Sequence, residues 1–425
     1  MNQTPSYDVA VIGGGPGGTA LATFLARLGR RCLVVEQSHF PRYHIGESLV
    51  PHTYGILDRL GLLPKLKASP YPEKHSVRFV APDGCESTPF YFSETIPGDG
   101  ARTWQVERST FDRLLLDHAR ENGVDLREGT AVQQVLFDGE RATGLAIQNG
   151  AGPETVHAKV VVDASGRATF IGRQLNLKGD VPGLNKASLW GYYRGGQRLP
   201  GIDAGETTMF RLPGGGWFWY IPLPDDVVSV GIVADPGYLF TGDGTPEQIY
   251  EREVAKCAPL MDRLKNATCE GPVRGLQRLA YLNRQTCGDG WLMIGDARAF
   301  LDPIYSSGLF LALGSAELAA GSIEAALAAH DTSAAKLGTF EPALWDGVET
   351  VRRLIHAFYD AQFSFGEFTR RFPEHRRSLI DCLVGDVVKD MSAFRRALET
   401  MTPPPPPLSK SVPFRSKEAS EDNAL

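Results

Sequence analysis

The chain has 425 residues, 42% of them hydrophobic and 22% charged, the balance of a folded protein with mass for two or three folding units. A net charge of −6 argues against nucleic acid as the main partner. The six cysteines form no C-x-x-C pair and show no metal-like spacing, so they read as reduced thiols and no metal site is expected.

Tyr7 to Ile12 is an apolar run that ends in glycines, which predicts a buried parallel strand. Thr19 to Leu28 has helical spacing, and Arg31 to Glu36 is a second buried strand; together they form a βαβ unit. Residues 76–106 alternate between turn signals and predict antiparallel strands. Ser109 to Asn122 is an amphipathic helix with Ser109 and Asp112 at its start. A strand and a hairpin through Asp138-Gly139 follow, then a buried strand over Ala158 to Asp163. Ala187 to Ala234 is mostly strand-like, Trp291 to Gly295 returns to the first sheet, and Gly308 to Ala329 is a long alanine-rich helix. Residues 338–400 predict a helical cap, and the Pro403–Pro407 run opens a polar tail expected to be disordered. No apolar stretch reads as a membrane span, and the N-terminus lacks the pattern of a signal peptide. A cytoplasmic protein without membrane contact is expected.

Gly13, Gly15 and Gly18 fit G-x-G-x-x-G between a strand and a helix. There the glycines permit a tight turn and let backbone N–H groups approach a pyrophosphate. Glu36 ends the next strand where a carboxylate can hold a ribose hydroxyl. Asp163-Ala-Ser-Gly166 and Gly295-Asp296-Ala297 each end a buried strand at a sharp turn. In this order the elements resemble the para-hydroxybenzoate hydroxylase-like FAD superfamily, over residues 7 to about 330. The resemblance implies FAD, with Arg108 matching the family's FAD-contacting arginine; alone, Arg108 reads equally as a solvated helix-start residue. The implied cofactor set is Gly13, Gly15, Pro16, Gly18, Glu36, Gln37, Arg42, Ser48, Arg108, Asp163, Gly166, Asp296, Pro303 and Gly308. No second dinucleotide fingerprint is present, so a separate flavin reductase is the expected electron source.

Trp217-Phe-Trp219-Tyr-Ile221-Pro222 fits W-x-W-x-I-P, and Phe300-x-x-Pro303-x-x-Ser306-x-Gly308 fits F-x-x-P-x-x-S-x-G. Through these two signatures the chain resembles, within that superfamily, the flavin-dependent halogenases, and in length and local pattern those of phenols and pyrroles. Phe40 to Pro51, with Gly46-Glu47-Ser48, looks like their first flavin-side loop. Strand spacing puts both indoles on one face, where Trp217, Trp219, Pro222 and Phe300 would wall a tunnel; the bland alternative is two core tryptophans. Ser306, Ser307 and Gly308 open a helix, whose N–H groups suit chloride or bromide, while Ser306 also reads as a plain N-cap. Lys74 stands at the family's catalytic-lysine position, with Lys65 and Lys67 as solvated competitors and Glu47 as a second catalytic candidate.

The expected fold is α/β. A Rossmann-type FAD domain is split over residues 1–75, 107–180 and 286–335. A mostly antiparallel β substrate domain (76–106 and 181–285), a helical region (336–402) and a tail (403–425) complete it. The implied activity uses reduced FAD and O2 to make hypohalous acid, which crosses the protein to an aromatic substrate. Tryptophan halogenases carry a glutamate just before the serine-glycine segment, and here Pro303-Ile-Tyr305-Ser306 has none. That departure implies a phenol or pyrrole, free or on an acyl-carrier protein, which the arginines of the cap could meet. An aromatic hydroxylase, an isoprenoid-reducing flavoprotein and a flavin-binding paralogue without turnover are the alternatives.

Overall fold

The computed structural model describes residues 6–242 and 244–412. Its first sheet runs Cys287–Gly288, Trp291–Met293, Gly152–Asp163, Ser6–Ile12, Cys32–Val35, Asp125–Arg127. Pairing from Trp291–Met293 to Asp125–Arg127 is parallel. The central strands read as continuous apolar runs because helices or a hairpin cover both faces. The Ala131–Asp138 and Arg141–Asn149 hairpin extends the sheet against Gly152–Asp163.

Two helices fix the flavin-side geometry. Pro16–Arg27 starts at the glycine turn. Ser307–Ala328 packs against it so closely that a Cβ on Gly17 would lie 3.3 Å from the Ala312 carbonyl. Contrary to the expectation from sequence, this 22-residue helix is long and apolar enough to cross a membrane, by length and composition only. More than half of it is buried inside the fold.

The second sheet has the order Thr268–Leu276, Ala187–Arg194, Val227–Ala234, Trp217–Pro222, Thr207–Arg211, Ser76–Val80, Phe90–Tyr91. It is antiparallel except where Ser76–Val80 runs parallel to Thr207–Arg211, so the all-antiparallel reading of residues 76–106 is corrected there. Gly231 lies between two indoles: a Cβ there would sit 2.2 Å from the Trp219 ring and 2.5 Å from Trp190 Cβ. Only glycine leaves room for both.

Glu341–Tyr359, Phe365–Arg371, Arg376–Val384 and Ser392–Glu399 form the helical cap, joined by ring contacts such as Phe368–Phe394. The proline run departs from expectation. Arg352 donates to the Pro406 carbonyl at 3.0 Å, and Asp180 N–H donates to the Val412 carbonyl at 3.1 Å, so residues 403–412 lie against the body. A local hydrogen-bond partner outweighs the polar composition. The rest of the predicted tail, 413–425, lies outside the described residues.

Candidate functional site

A cavity of about 680 Å³ separates the two sheets. Gly13, Gly15, Pro16 and Glu36 line one end, Ser306, Gly308 and Pro303 another, and Trp217, Trp219 and Phe300 the face toward the second sheet. Arg42, Glu47, Ser48, Arg108, Gly166 and Asp296 complete the part anticipated from sequence. Six anticipated residues do not line it: Lys74, described below, and five others. Gly18 is a packing position, where a Cβ would meet the Gly13 carbonyl at 2.1 Å. Gln37 is exposed to solvent, away from the lining. Asp163 is fully buried and anchors its turn by accepting from Ser165 N, Ser165 Oγ and Ile171 N. Ser307 and Pro222 are buried in the Ser307–Ala328 helix and the Trp217–Pro222 strand.

The glycine end suits a dinucleotide. Gly13 has φ +105°, and a Cβ on it would lie 2.5 Å from the Ala164 carbonyl. At Gly15 a Cβ meets nothing closer than Arg42 at 3.5 Å, so this position faces open cavity where a pyrophosphate can approach. Glu36 accepts the Gly14 and Ser38 N–H groups, which fixes its carboxylate beside the turn. Arg108 holds Asp112 with two nitrogens at 2.7 and 2.9 Å while lining the cavity, which excludes the solvated reading. The Asp296 carboxyl is pushed up to about 6 by burial, against the pull of Arg108 and Arg167. FAD fits this end.

At the Ser306 end the backbone turns through φ +52°, and the Ser306 side chain makes no capping bond, so the N-cap reading is set aside. Trp217 and Trp219 are both buried with ring centroids 6.2 Å apart. Their N–H groups point to separate anchors: Trp217 donates to Tyr359 OH at 2.9 Å and Trp219 to Ser229 Oγ at 3.0 Å. Tyr359 in turn donates to Asp302, so the cap helix Glu341–Tyr359 holds one indole in place. The ring edges are thus fixed rather than loosely packed.

Lys74 lies behind the cavity lining, 1% exposed. Its Nζ donates to Ser48 Oγ at 2.8 Å and to the Leu49 carbonyl at 3.3 Å. Ser48 Oγ lies 3.2 Å from Thr207 Oγ1, and both hydroxyl residues line the cavity. Burial pushes the Lys74 ammonium down to about 7, with Glu206 opposing weakly. Lys65 and Lys67 sit on the Leu63–Lys67 helix and pair with Glu121 and Asp99, away from the cavity. Burying Lys74 is destabilising below the folded-state pKa near 7, and that cost vanishes as pH rises toward the free-lysine value. Lys74→Met is therefore expected to be more stable than the parent at about pH 6, by roughly 3–5 kcal/mol, and nearly equal at about pH 10. Urea unfolding at the two pH values checks this; a gap that widens with pH would contradict it.

Several residues of the site carry no motif: Ser188, Trp190, Thr207, Met209 and Tyr281 line the cavity, and Tyr192 stands behind Glu47, while Tyr43 lines it from within the Phe40–Pro51 loop. Trp190 and Tyr192 alternate along Ala187–Arg194, so a period-two reading anchored on the Trp217–Trp219 face would have found them. Glu47 is 4% exposed; its Oε1 accepts from Tyr192 OH at 2.6 Å, and its Oε2 has no partner among the described residues.

A split parallel sheet with a glycine turn, a large cavity and a second sheet across it define an FAD-dependent oxidoreductase. Residues 6–193 match the model of an FAD binding domain and residues 201–367 that of tryptophan halogenase. The chain is 31% identical to a 1H-pyrrole-2-carbonyl-[peptidyl-carrier protein] chlorinase of Pseudomonas fluorescens, covering 90% of this chain and 89% of that protein. It is 31% identical to the corresponding brominase of Pseudoalteromonas luteoviolacea, covering 94% and 98%. A tryptophan 2-halogenase of Chondromyces crocatus shares 36% identity over 77% of this chain, which spans 63% of that protein. The structure of flavin-dependent brominase Bmp2 superposes with a TM-score of 0.85 at 30% identity, over 93% of this chain and 99% of that one. The chain belongs to the flavin-dependent halogenases. It is an FAD enzyme that uses halide, and the hydroxylase and isoprenoid-reductase alternatives fall away.

Proposed function

We propose that this halogenase transfers halogen through Lys74 to an electron-rich pyrrole or phenol, free or carrier-bound. The observation that carries the reading is the placement of Lys74: a buried amine with a depressed pKa, one hydroxyl away from the cavity that holds the flavin end. Bound FAD, once reduced, supplies the electrons that convert halide and O2 to hypohalous acid. The protein's own residues do the rest. Gly13–Gly17, Glu36 and Arg108 would hold the cofactor, and the Ser306–Gly308 turn would hold chloride or bromide on N–H groups at a helix start. Trp217 and Trp219 exclude the aromatic substrate and water from the flavin end. Ser48 and Thr207 lead the small oxidant to Lys74, whose Nζ donates to its oxygen and orients the halogen. The flavin parts of the chain are 1–75, 107–180 and 286–335, and a separate cytoplasmic flavin reductase would supply reduced cofactor.

The substrate class follows from the residues around Ser306. With no carboxylate between Pro303 and Gly308, the site offers no general base there, so the ring must supply its own electron release. A pyrrole nitrogen or phenol hydroxyl stabilises the cationic intermediate directly. The two carrier-protein pyrrole halogenases, matched over nearly their whole length, support the same class. The tryptophan 2-halogenase relative makes free tryptophan the competitor to test. Incubation with a flavin reductase, chloride or bromide, and pyrroles, phenols and tryptophan, each free and as carrier thioesters where a carboxyl allows, is read by mass spectrometry. Halogenated pyrrole or phenol with negligible halotryptophan is expected. Efficient halogenation of free tryptophan, with the other rings ignored, would overturn the substrate assignment.

A further inference from the structure

Hypohalous acid formation consumes a proton that must reach the flavin end. The balance is FADH2 + O2 + X− + H+ → FAD + HOX + H2O, followed by Ar–H + HOX → Ar–X + H2O. Dioxygen takes four electrons, two from reduced flavin and two from the halide. The ring proton leaves in water, so one net proton enters with each halide.

A continuous hydrogen-bonded route runs from Tyr43, where the cavity lining is exposed to solvent, to Glu47 deeper in that lining. Tyr43, 45% exposed, accepts from the Trp190 indole N–H at 2.6 Å. With that acceptance made, the Tyr43 hydroxyl is free to donate to Tyr192 OH, 3.0 Å away. Tyr192 donates to Glu47 Oε1 at 2.6 Å, and Glu47 lines the cavity with its Oε2 unpartnered among the described residues. The two phenol rings meet edge to face at 89°, and the Arg274 guanidinium covers Tyr43 at 4.1 Å, so both hydroxyls are held. We infer that Tyr43 and Tyr192 form a proton relay that recharges Glu47, and that Glu47 delivers the proton consumed with each halide. This rests on the proposed oxidant chemistry, and it assigns function to two tyrosines that the sequence analysis gave no role.

The electrostatics are compatible with a donor that is protonated near neutrality. Burial pushes the Glu47 carboxyl up to about 7, and the Glu107 carboxylate adds to this; the Tyr192 hydroxyl, the Ser229 hydroxyl and the Arg108 guanidinium pull it down. His44 and Asp296 line the same cavity, and burial holds His44 down to about 4, so it is neutral over the working range. Asp296 is likewise pushed up, to about 6, and what sets Glu47 apart is the Tyr192 hydroxyl on its Oε1.

The test uses Tyr192→Phe, Tyr43→Phe and Glu47→Gln in full-length enzyme with reductase, halide and a chemical trap for hypohalous acid. Tyr192→Phe keeps the ring packing and removes only the hydroxyl. It is expected to lower trapped hypohalous acid on the order of 100-fold, to release hydrogen peroxide in its place, and to show a larger solvent deuterium isotope effect on the trapped yield. Glu47→Gln should do the same, and Tyr43→Phe less, because surface water can replace its hydroxyl. In the parent the yield should fall as pH rises through about 7, following the Glu47 proton. In cofactor-free protein, infrared titration should show a protonated carboxyl that Glu47→Gln removes and whose midpoint rises in Tyr192→Phe, since a hydrogen bond to the charged form is lost. Parent yield and isotope effect in Tyr192→Phe, a fall accompanied by weakened FAD binding, or no such carboxyl in the infrared titration would each overturn the relay. Lys74→Ala separates this from the function it rests on: there trapped hypohalous acid persists and only ring halogenation is lost.

Discussion

Lys74→Ala should abolish ring halogenation while leaving oxidation of reduced flavin and production of trappable hypohalous acid near the parent level. The reason is positional. Nζ sits behind Ser48 and Thr207, outside the cavity lining, so its loss removes nothing that binds the flavin end. What disappears is the donor proposed to orient the halogen, an amine that burial has already brought to about 7. Loss of a positioned acid–base group costs about 10²–10⁴ in rate. Neither neighbouring lysine can substitute, because Lys65 and Lys67 are tied to Glu121 and Asp99 at the surface. Product assay beside a hypohalous acid trap checks it. Parent-level product would show that Lys74 is not the transferring group, and loss of trapped oxidant as well would place Lys74 in the earlier step.

Gly15→Val should fold and bind no FAD. Around Gly15 the protein leaves open space, and the nearest atom to an added Cβ is a nitrogen of the Arg42 guanidinium, 3.5 Å away. The new methyls therefore enter the cavity, on the pyrophosphate side of the turn, and not the core. Gly18→Val contrasts with it: the Gly13 carbonyl at 2.1 Å leaves no room, so that variant should lose structure first. Flavin fluorescence titration and thermal unfolding of both variants separate the two roles of the same motif. Parent affinity in Gly15→Val would remove the pyrophosphate from this turn.

The pattern of the two glycine positions shows where sequence reasoning reached its limit. G-x-G-x-x-G marks both, but only the packed helix Pro16–Arg27 tells which one faces ligand and which faces backbone. Asp163 and Asp296 likewise end similar strands at similar turns. One spends its oxygens on Ser165 and Ile171, and the other lines the cavity.

The βαβ opening, the flavin-side glycine turn and the tryptophan pair were legible in the sequence, because each is written in local spacing, whereas Lys74 was singled out by the family resemblance. Period-two alternation puts Trp217 and Trp219 on one face whatever the rest of the chain does. The proline run shows the converse, since composition favoured a free tail and partners at Asp180 and Arg352 hold residues 403–412 down. Packing of distant segments set how deep Lys74 lies, which hydroxyls separate it from the cavity, and that Tyr43, Tyr192 and Glu47 touch. Those residues are up to 149 positions apart and meet because the Phe40–Pro51 loop crosses the end of the Ala187–Arg194 strand. Burial and hydrogen bonding set their protonation, and both are properties of the packed interior that no local window of sequence contains.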